Sequence, residues 1–569
     1  MREPSLDNYL LRPVQFKTCK VEDSTLLWRI DDPQYWNDLK LISPETFLER
    51  YSYANNKSPS FVDIKFDKNK VKHLTAEQYG GDGVSKNGGG ARCGNIDCFQ
   101  LKGIGVNPLL GTYDRFGNSN GIYSVHEALR EIIYTMLFDY IFPGKVVKIL
   151  GLINLGESTH ADPSFDIRLP LVISVREKCV RPAHFFRAPH FEPRKEDRSR
   201  IVSDIARVRY AWMQLSKELP HHQQAINLMY DFLSTSAEMF ARAFIHRFAH
   251  GAISPSNLSI TGKWLDLTNA SFINGCQNYQ AAKDTIAFSR ELDNVFLIAN
   301  QFLVECEKYC QTSLEYHRGQ LYFYYFTRLL NEKLNNLPEL FGLDCVNQQI
   351  FPHFHERLLT EYTAFLMSSM TLSVGAPGRD FDSSVLDYIV SRFHEASARK
   401  GNLYLMLEQY YHDNFPSFKD FESSLIFCFI RSVKRIIYSR IFMSEPVQRT
   451  VYDCVAQHHF RKINELVNQY GAISKAMFDK NGEQQKLIVI DAGSTRLMFD
   501  KLAGHFEYCS LFCKMRVISL DNFHLAEMNI DDNYDGVVKK IEEDRLLMKT
   551  LEDFCFRLSH QKMENTHDV

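Results

Sequence analysis

The segment His250-Gly251-Ala252-Ile253-Ser254-Pro255-Ser256-Asn257 leaves an amphipathic helix and returns through a short hairpin at Trp264-Leu265-Asp266-Leu267. The carboxamide oxygen of Asn257 and the carboxylate of Asp266 are hard donors at the ends of two short elements. Such a pair suits Mg²⁺ held against phosphate oxygens. Upstream, Lys102 closes the strand-like run Cys98-Phe99-Gln100-Leu101, and Glu131 lies on a helix that follows. A strand lysine steadied by a helix carboxylate can hold a phosphate in place. Glu127, one turn earlier, competes with Glu131 for that role. His250 reads either as a base or as a buried imidazole that fixes the loop.

The order Lys102, Glu131, Asn257, Asp266 is the frame of a protein kinase catalytic site. One member is missing, because the position two residues after the His, where a kinase has its catalytic Asp, is Ala252. A substrate hydroxyl would find no carboxylate there to accept its proton, so ordinary phosphotransfer is disfavoured.

These residues need elements to position them. The stretch from Tyr79 to Gly94 is dense in glycine, which supplies positive φ and lets backbone N–H groups approach a ligand; as a bland alternative it is a surface loop. Ser124 and Glu127 form a capping-box pattern. Behind them Val125, Ala128, Leu129, Ile132, Ile133, Met136 and Leu137 recur on one helical face, and Pro143-Gly144 ends the helix. Strand-like runs follow at 146–150 and 169–175. From about residue 200 the chain reads as helical over 203–248, 284–335, 350–372, 384–412 and 420–442. A late strand, Lys486-Leu487-Ile488-Val489-Ile490, runs into Asp491-Ala492-Gly493-Ser494-Thr495, which is either a phosphate-binding turn or part of a buried strand. The boundaries divide the chain into an N-terminal segment 1–75, a β-rich part 76–185 with the glycine-rich loop, a helical part 186–335 with the active-site loop, and a mostly helical region 336–569.

The bulk numbers agree with an ordinary globular protein. Of 569 residues 45% are hydrophobic and 24% charged, with a net charge of −3, which gives no electrostatic case for nucleic acid or an anionic membrane. No apolar run approaches the ~20 residues of a spanning helix, and no signal pattern opens the chain. Thirteen scattered cysteines without a CxxC pair fit a reducing, cytoplasmic setting.

Several ordered motifs resemble those of the selenoprotein O family. Leu101-Lys102-Gly103-Ile104-Gly105-Val106-Asn107-Pro108 is similar to its strand-and-turn signature. Arg130-Glu131 with Asp139-Tyr140-Ile141-Phe142-Pro143 is similar to its helix and exit. Val180-Arg181-Pro182-Ala183-His184-Phe185 resembles its internal Arg motif, and Phe248-Ala249-His250-Gly251, Asn257, Ser259 and Asp266 resemble its active-site loop. The matches cover roughly residues 75 to 275.

The resemblance implies an α+β, protein-kinase-like bilobal fold: a small β-rich N-lobe, a helical C-lobe and a large, mostly helical C-terminal extension. It also implies ATP bound in a flipped orientation, with AMP rather than phosphate transferred to a protein or peptide acceptor. In that frame Lys102 contacts phosphate, Glu131 orients it, Asn257 and Asp266 hold Mg²⁺, Gly103 and Gly105 form the nucleotide-side turn, and Arg176 and Arg181 hold the outward phosphates with guanidinium forks. The chain departs from the family at Ser256, which stands where the family has an acidic residue before the metal Asn, and the spacing from Arg176 to Arg181 is shorter. An already ionised acceptor, such as a peptide carboxylate, would need no base at position 256. Divergent relatives of this kind suggest maturation of a peptide product such as a microcin, with a partner enzyme in a biosynthetic complex. A pseudokinase scaffold and a kinase-like phosphotransferase are the alternatives.

Overall fold

The computed structural model describes residues 13–30, 43–112, 120–162, 167–218, 222–283, 285–311, 313–343, 352–368, 370–375, 382–478, 485–492, 495–510, 513–520, 523 and 536–567. Gly493 and Ser494 of the candidate phosphate turn lie outside them.

Eight strands from the first third of the chain pair into one antiparallel sheet. They are β1 (Val14–Val21), β2 (Thr25–Arg29), β3 (Tyr53–Ala54), β4 (Phe66–Ala76), β5 (Cys93–Ile96), β6 (Phe99–Lys102), β7 (Ile149–Asp162) and β8 (Ile167–Glu177). The spatial order is β2-β7-β8-β6-β5-β4-β1-β3, so strands β1 to β4 belong to the same sheet as β5 and β6, into which the glycine-rich stretch runs. Strand β6 sits inside it, between β5 and β8, and all four of its residues are buried. Side chains alternate across a strand. Phe99 and Leu101 accordingly join an apolar core with Phe47 and Tyr51 of helix α1 (Pro44–Tyr51). Gln100 and Lys102 face the other way, into a polar layer.

Helix α2 (Val125–Ile141) lies on that second side. Its start follows from the sequence: the Ser124 hydroxyl accepts from the Glu127 N–H at 3.2 Å, and the Glu127 carboxylate accepts from the Ser124 N–H at 3.1 Å. Both ends of that exchange satisfy donors that a helix N-terminus leaves open. The helix is buried nearly all round, with His126, Glu131, Tyr134 and Thr135 buried alongside the apolar stripe.

The remainder is predominantly helical. Helices α3 (Asp204–Glu218) and α4 (His222–His246) lead to the loop that carries His250, Asn257 and Asp266, which is framed by the short paired strands β9 (Phe248–Ala249) and β10 (Ser271–Phe272). Strand β11 (Gln277–Gln280) pairs in parallel with β12 (Thr371–Val374). Helices α5 (Phe288–Cys310), α6 (Glu315–Leu340), α7 (Pro352–Ser368), α8 (Ser384–Ser397), α9 (Gly401–Asp413), α10 (Phe421–Ser439), α11 (Ser444–His458), α12 (Ile463–Phe478) and α13 (Ile541–His567) complete the set. The strand read at Lys486 is β13 (Lys486–Ala492). It opens an antiparallel meander with β14 (Thr495–Asp500), β15 (His505–Ser510) and β16 (Cys513–Ile518), so the C-terminal region carries sheet as well as helix. One apolar core runs continuously from α2 through α4 and α10 to α13. The architecture is mixed α+β, and among the described residues no helix is long and apolar enough to cross a membrane.

Candidate active site

The sheet, α2 and the loop after β9 bring several of the sequence-selected side chains into one cluster. Lys102, only 2% exposed, donates to Glu131 Oε2 at 2.9 Å and to the Asp266 carboxylate. Glu131, and not Glu127, is therefore the helix partner of the lysine. Glu127 is occupied by the Ser124 cap and by Arg92 at 3.4 Å. The second oxygen of Glu131 accepts from Arg176 Nη1 at 3.3 Å, and the Tyr123 hydroxyl donates to Oε2. A carboxylate surrounded by two cations and a hydroxyl is compensated for its burial, whereas removing it would leave charge stranded.

Asp266 sits at φ 61°, ψ 55° and caps no helix with its side chain. Left-handed backbone is costly for a residue with a Cβ, and here it aims the carboxylate at Lys102. Burial works to raise the Asp266 pKa. The charges of Lys102, Arg176 and Arg92 outweigh it and hold the carboxyl well below its ordinary range, so Asp266 is an anion at any working pH. The Asn257 amide donates through Nδ2 to Ala252 O at 2.8 Å. That bond turns Oδ1 away from Ala252 O, and Oδ1 accepts from Ser256 Oγ at 3.4 Å. One amide oxygen and one carboxylate are thus presented as hard donors, of the kind a Mg²⁺ ion requires.

The loop between them is held by local geometry. Leu258 bridges Trp264 across the hairpin. The Trp264 ring is enclosed by Phe138, Phe142, Phe240 and His250, at centroid distances of 5.0, 5.4, 5.0 and 5.1 Å. His250 is fully buried. Its Nε2 lies 3.1 Å from Leu265 O and its Nδ1 accepts from the Ala252 N–H at 3.3 Å. Burial pushes its pKa down to about 4. Both ring nitrogens are engaged within the loop, which makes His250 a neutral brace. Glu291 of α5 supports the loop from below, accepting from the Gly251 N–H at 2.7 Å and the His250 N–H at 3.3 Å.

Arg176 and Arg181 converge on one acceptor. Gln100 Oε1 takes Arg176 Nε and Nη2 at 3.0 and 2.6 Å, and Arg181 Nη2 at 3.2 Å. Arg181 Nη1 also donates to Ser256 O at 2.7 Å and to the Tyr79 hydroxyl at 3.3 Å, while its buried Nε has no partner. Both guanidiniums are embedded in protein, each residue 3% exposed. Ser256 is buried too, its hydroxyl 2.9 Å from that of Ser254.

The glycine-rich stretch is not a free loop. Gly80 N–H donates to Ala183 O and Gly81 N–H to Arg187 O, at 2.9 and 2.8 Å. A Cβ on Gly83 (φ +97°) would stand 2.6 Å from Ser256 Oγ. The stretch is therefore laid directly over Ser254 and Ser256, and the absence of a side chain at Gly83 permits that approach. Gly103 (φ +96°) and Gly105 (φ +84°) turn the chain directly after Lys102. A Cβ at Gly103 would meet Val172 O at 2.3 Å, and one at Gly105 would meet the Phe61 ring at 2.7 Å. Protein atoms fill the room these two glycines leave, so a side chain at either position would collide with its neighbours.

Several further members of the cluster carry little signal in the sequence. Arg92 and Lys102 both stand over the Tyr123 ring, at 4.9 and 4.5 Å from its centroid. Arg92 lies within the glycine-rich stretch, where a lone arginine was a usable signal. Tyr123, Gln100 and Glu291 had no signal beyond their side-chain chemistry. A separate group, Asp500, His505 and Glu507, brings potential metal-ligand atoms within 4.8 Å of one another. Lys486 Nζ lies 2.8 Å from both Glu507 oxygens, and Asp500 Oδ1 accepts the N–H groups of Leu502 and Ala503, so these carboxylates already serve an ion pair and a hairpin turn. No protein-family model matches this chain, and no curated protein matches it.

Proposed function

We propose that this protein is a Mg²⁺- and ATP-dependent nucleotidyltransferase of kinase-like bilobal design that transfers AMP to a protein or peptide acceptor. The observation that carries the reading is the buried pair Lys102–Glu131 with the partly exposed Asp266, joined to Arg176 through Glu131, beside a loop with no carboxylate at positions 252 or 256. Asn257 Oδ1 and the Asp266 carboxylate would hold Mg²⁺, which supplies charge neutralisation at the phosphates. Lys102 contacts a phosphate, and Glu131 keeps its ammonium in place. Arg176 and Arg181, gathered on Gln100, offer guanidinium donors to the remaining phosphates.

In the reaction an acceptor oxygen bonds to the α-phosphorus, the bond from that phosphorus to the bridging α–β oxygen breaks, and pyrophosphate leaves. A hydroxyl acceptor must also lose a proton, and no carboxylate at 252 or 256 is there to take it. A carboxylate acceptor carries none. This favours an ionised peptide acceptor, as in maturation of a peptide product such as a microcin, in a cytoplasmic setting and alongside a partner enzyme. The test is incubation with Mg²⁺ and ATP labelled at either the α or the γ phosphate. The expected result is covalent α label with pyrophosphate release. Covalent γ label with ADP release would replace this reading with a phosphotransferase, and no covalent label with any acceptor would replace it with a pseudokinase scaffold.

A further inference from the structure

Glu131 meets Lys102 because α2 holds it there, and the outer face of α2 is covered by residues more than three hundred positions downstream. Arg130, adjacent to Glu131, donates through Nη2 to Ser444 Oγ at 3.2 Å. The Tyr134 hydroxyl, one turn on, donates to Phe442 O at 3.0 Å. The His126 ring lies against that of Tyr452 at 5.4 Å. Helices α11 and α12 both pack on α2, and at one point the approach is very close: a Cβ on Gly471 would stand 2.6 Å from Met136 Cε.

The same corner reaches the other side of the site. The Ser444 backbone N–H donates to Ser271 Oγ at 2.9 Å. Ser271 follows Asp266 by five positions and pairs across β9–β10 with Ala249, which precedes His250. Ser444 is buried, and Ser271 is fully buried. One residue of the C-terminal region is therefore bonded both to the helix that carries Glu131 and to the segment that carries Asp266.

We propose that the Phe442–Ser444 corner and Gly471 of α12 are positioning residues for the nucleotide site: they fix α2 and the Asp266 segment relative to one another, so that Glu131 and Asp266 meet Lys102. This rests on the reading of the Lys102 cluster as a Mg-ATP site. The C-terminal region then supplies from within the chain the support that sets the helix carboxylate. The bonds at Ser444 are short-range and directional, and displacement of reacting groups by ~1 Å costs up to about a hundredfold in rate.

The test is a wedge and its relief. Gly471→Leu places a branched side chain where only Met136 Cε now sits and forces α2 and α12 apart; Met136→Ala in the same chain makes room again. Titration calorimetry with Mg-ATP and α-label transfer would be measured for the parent, Gly471→Leu, the double variant and Glu131→Gln. The expected result is a roughly ten- to hundredfold loss of kcat/KM for Gly471→Leu, carried mainly in kcat, with recovery in the double variant to within about threefold of the parent. Ser444→Ala, a change too small to unfold the chain, should move the same parameters in the same direction by less, and Ser444→Thr should retain them. If Gly471→Leu and Ser444→Ala both match the parent while Glu131→Gln loses activity, the positioning role is wrong and the nucleotide site stands. If Glu131→Gln also matches the parent, or the parent binds no Mg-ATP, the reading of the site itself fails and the inference goes with it.

Discussion

Replacing Glu291 with glutamine should remove a specific pH dependence of stability. Glu291 is 1% exposed and accepts N–H bonds from Gly251 and His250. Burial raises its pKa from 4.5 to about 8, outweighing the two backbone donors that favour the anion. The folded chain therefore keeps a proton between pH 4.5 and about 8 that the unfolded chain has released. By linkage, the stabilising contribution is complete below the unfolded value of 4.5 and is lost as pH rises through about 8. At ~1.36 kcal/mol per unit of difference, the loss between about pH 5 and about pH 9 comes to about 4 kcal/mol, a large share of a typical domain's stability. A glutamine side chain cannot titrate. It keeps one acceptor for Gly251 and gives up the other, at a cost of about 1–3 kcal/mol that does not vary with pH. Urea unfolding free energies of parent and Glu291→Gln measured from about pH 5 to about pH 9 should therefore converge and cross, with the variant less stable at the acid end and more stable at the alkaline end. A parent-minus-variant difference that stays constant to within about 1 kcal/mol over this range would refute the argument that burial governs this carboxyl.

Three further outcomes follow from the cluster. Asp266→Asn should abolish Mg²⁺-dependent transfer and leave a folded protein, because Lys102 retains Glu131 at 2.9 Å; turnover equal to the parent, measured with α-labelled ATP, removes Asp266 from the metal site. Arg181→Lys keeps the charge but cannot reach Ser256 O, Tyr79 and Gln100 together, so transfer should fall by about tenfold or more, and unchanged transfer would make Arg181 a purely packing residue. Ser256→Asp should raise transfer to hydroxyl acceptors, where a general base is worth ~10²–10⁴-fold, and lower transfer to a carboxylate acceptor through like-charge repulsion; a variant neutral toward both acceptors would show that position 256 does not face the reacting atoms.

What the sequence disclosed was local, and what it withheld depended on distant chain. The α2 start was readable because a capping box is written in four consecutive residues. The choice between Glu127 and Glu131 was not, since reaching Glu131 from Lys102 needs an insertion and Glu127 lies one turn nearer. Only the folded helix shows that Glu127 is committed to Ser124 and Arg92, leaving Glu131 to the lysine. Strands β1 to β4 left little pattern to read. β4 carries Asp67, Lys68, Asn69, Lys70 and Lys72 along its length, and its pairing with β1 joins residues roughly fifty positions apart. The glycines between Tyr79 and Gly94 offered the right flexibility but no destination, because the contact of Gly83 with Ser256 lies about 170 positions on.

The burial of α2 makes the same point with a functional consequence. An amphipathic stripe of Val125, Ala128, Leu129, Ile132 and Ile133 predicts one buried face and one in water. His126, Arg130, Tyr134 and Thr135 look like the wet face. In the folded protein His126, Tyr134 and Thr135 are buried, and Arg130 and Tyr134 direct hydrogen bonds to Ser444 and Phe442. A helix enclosed on both sides cannot shift without disturbing two interfaces, so its register is set jointly by the sheet and by the C-terminal helices. Lys102 comes from the first of these, and the partners of Arg130 and Tyr134 come from the second. The helix that carries Glu131 is thus packed between the sheet that supplies Lys102 and a C-terminal region in which the sequence displays no catalytic motif.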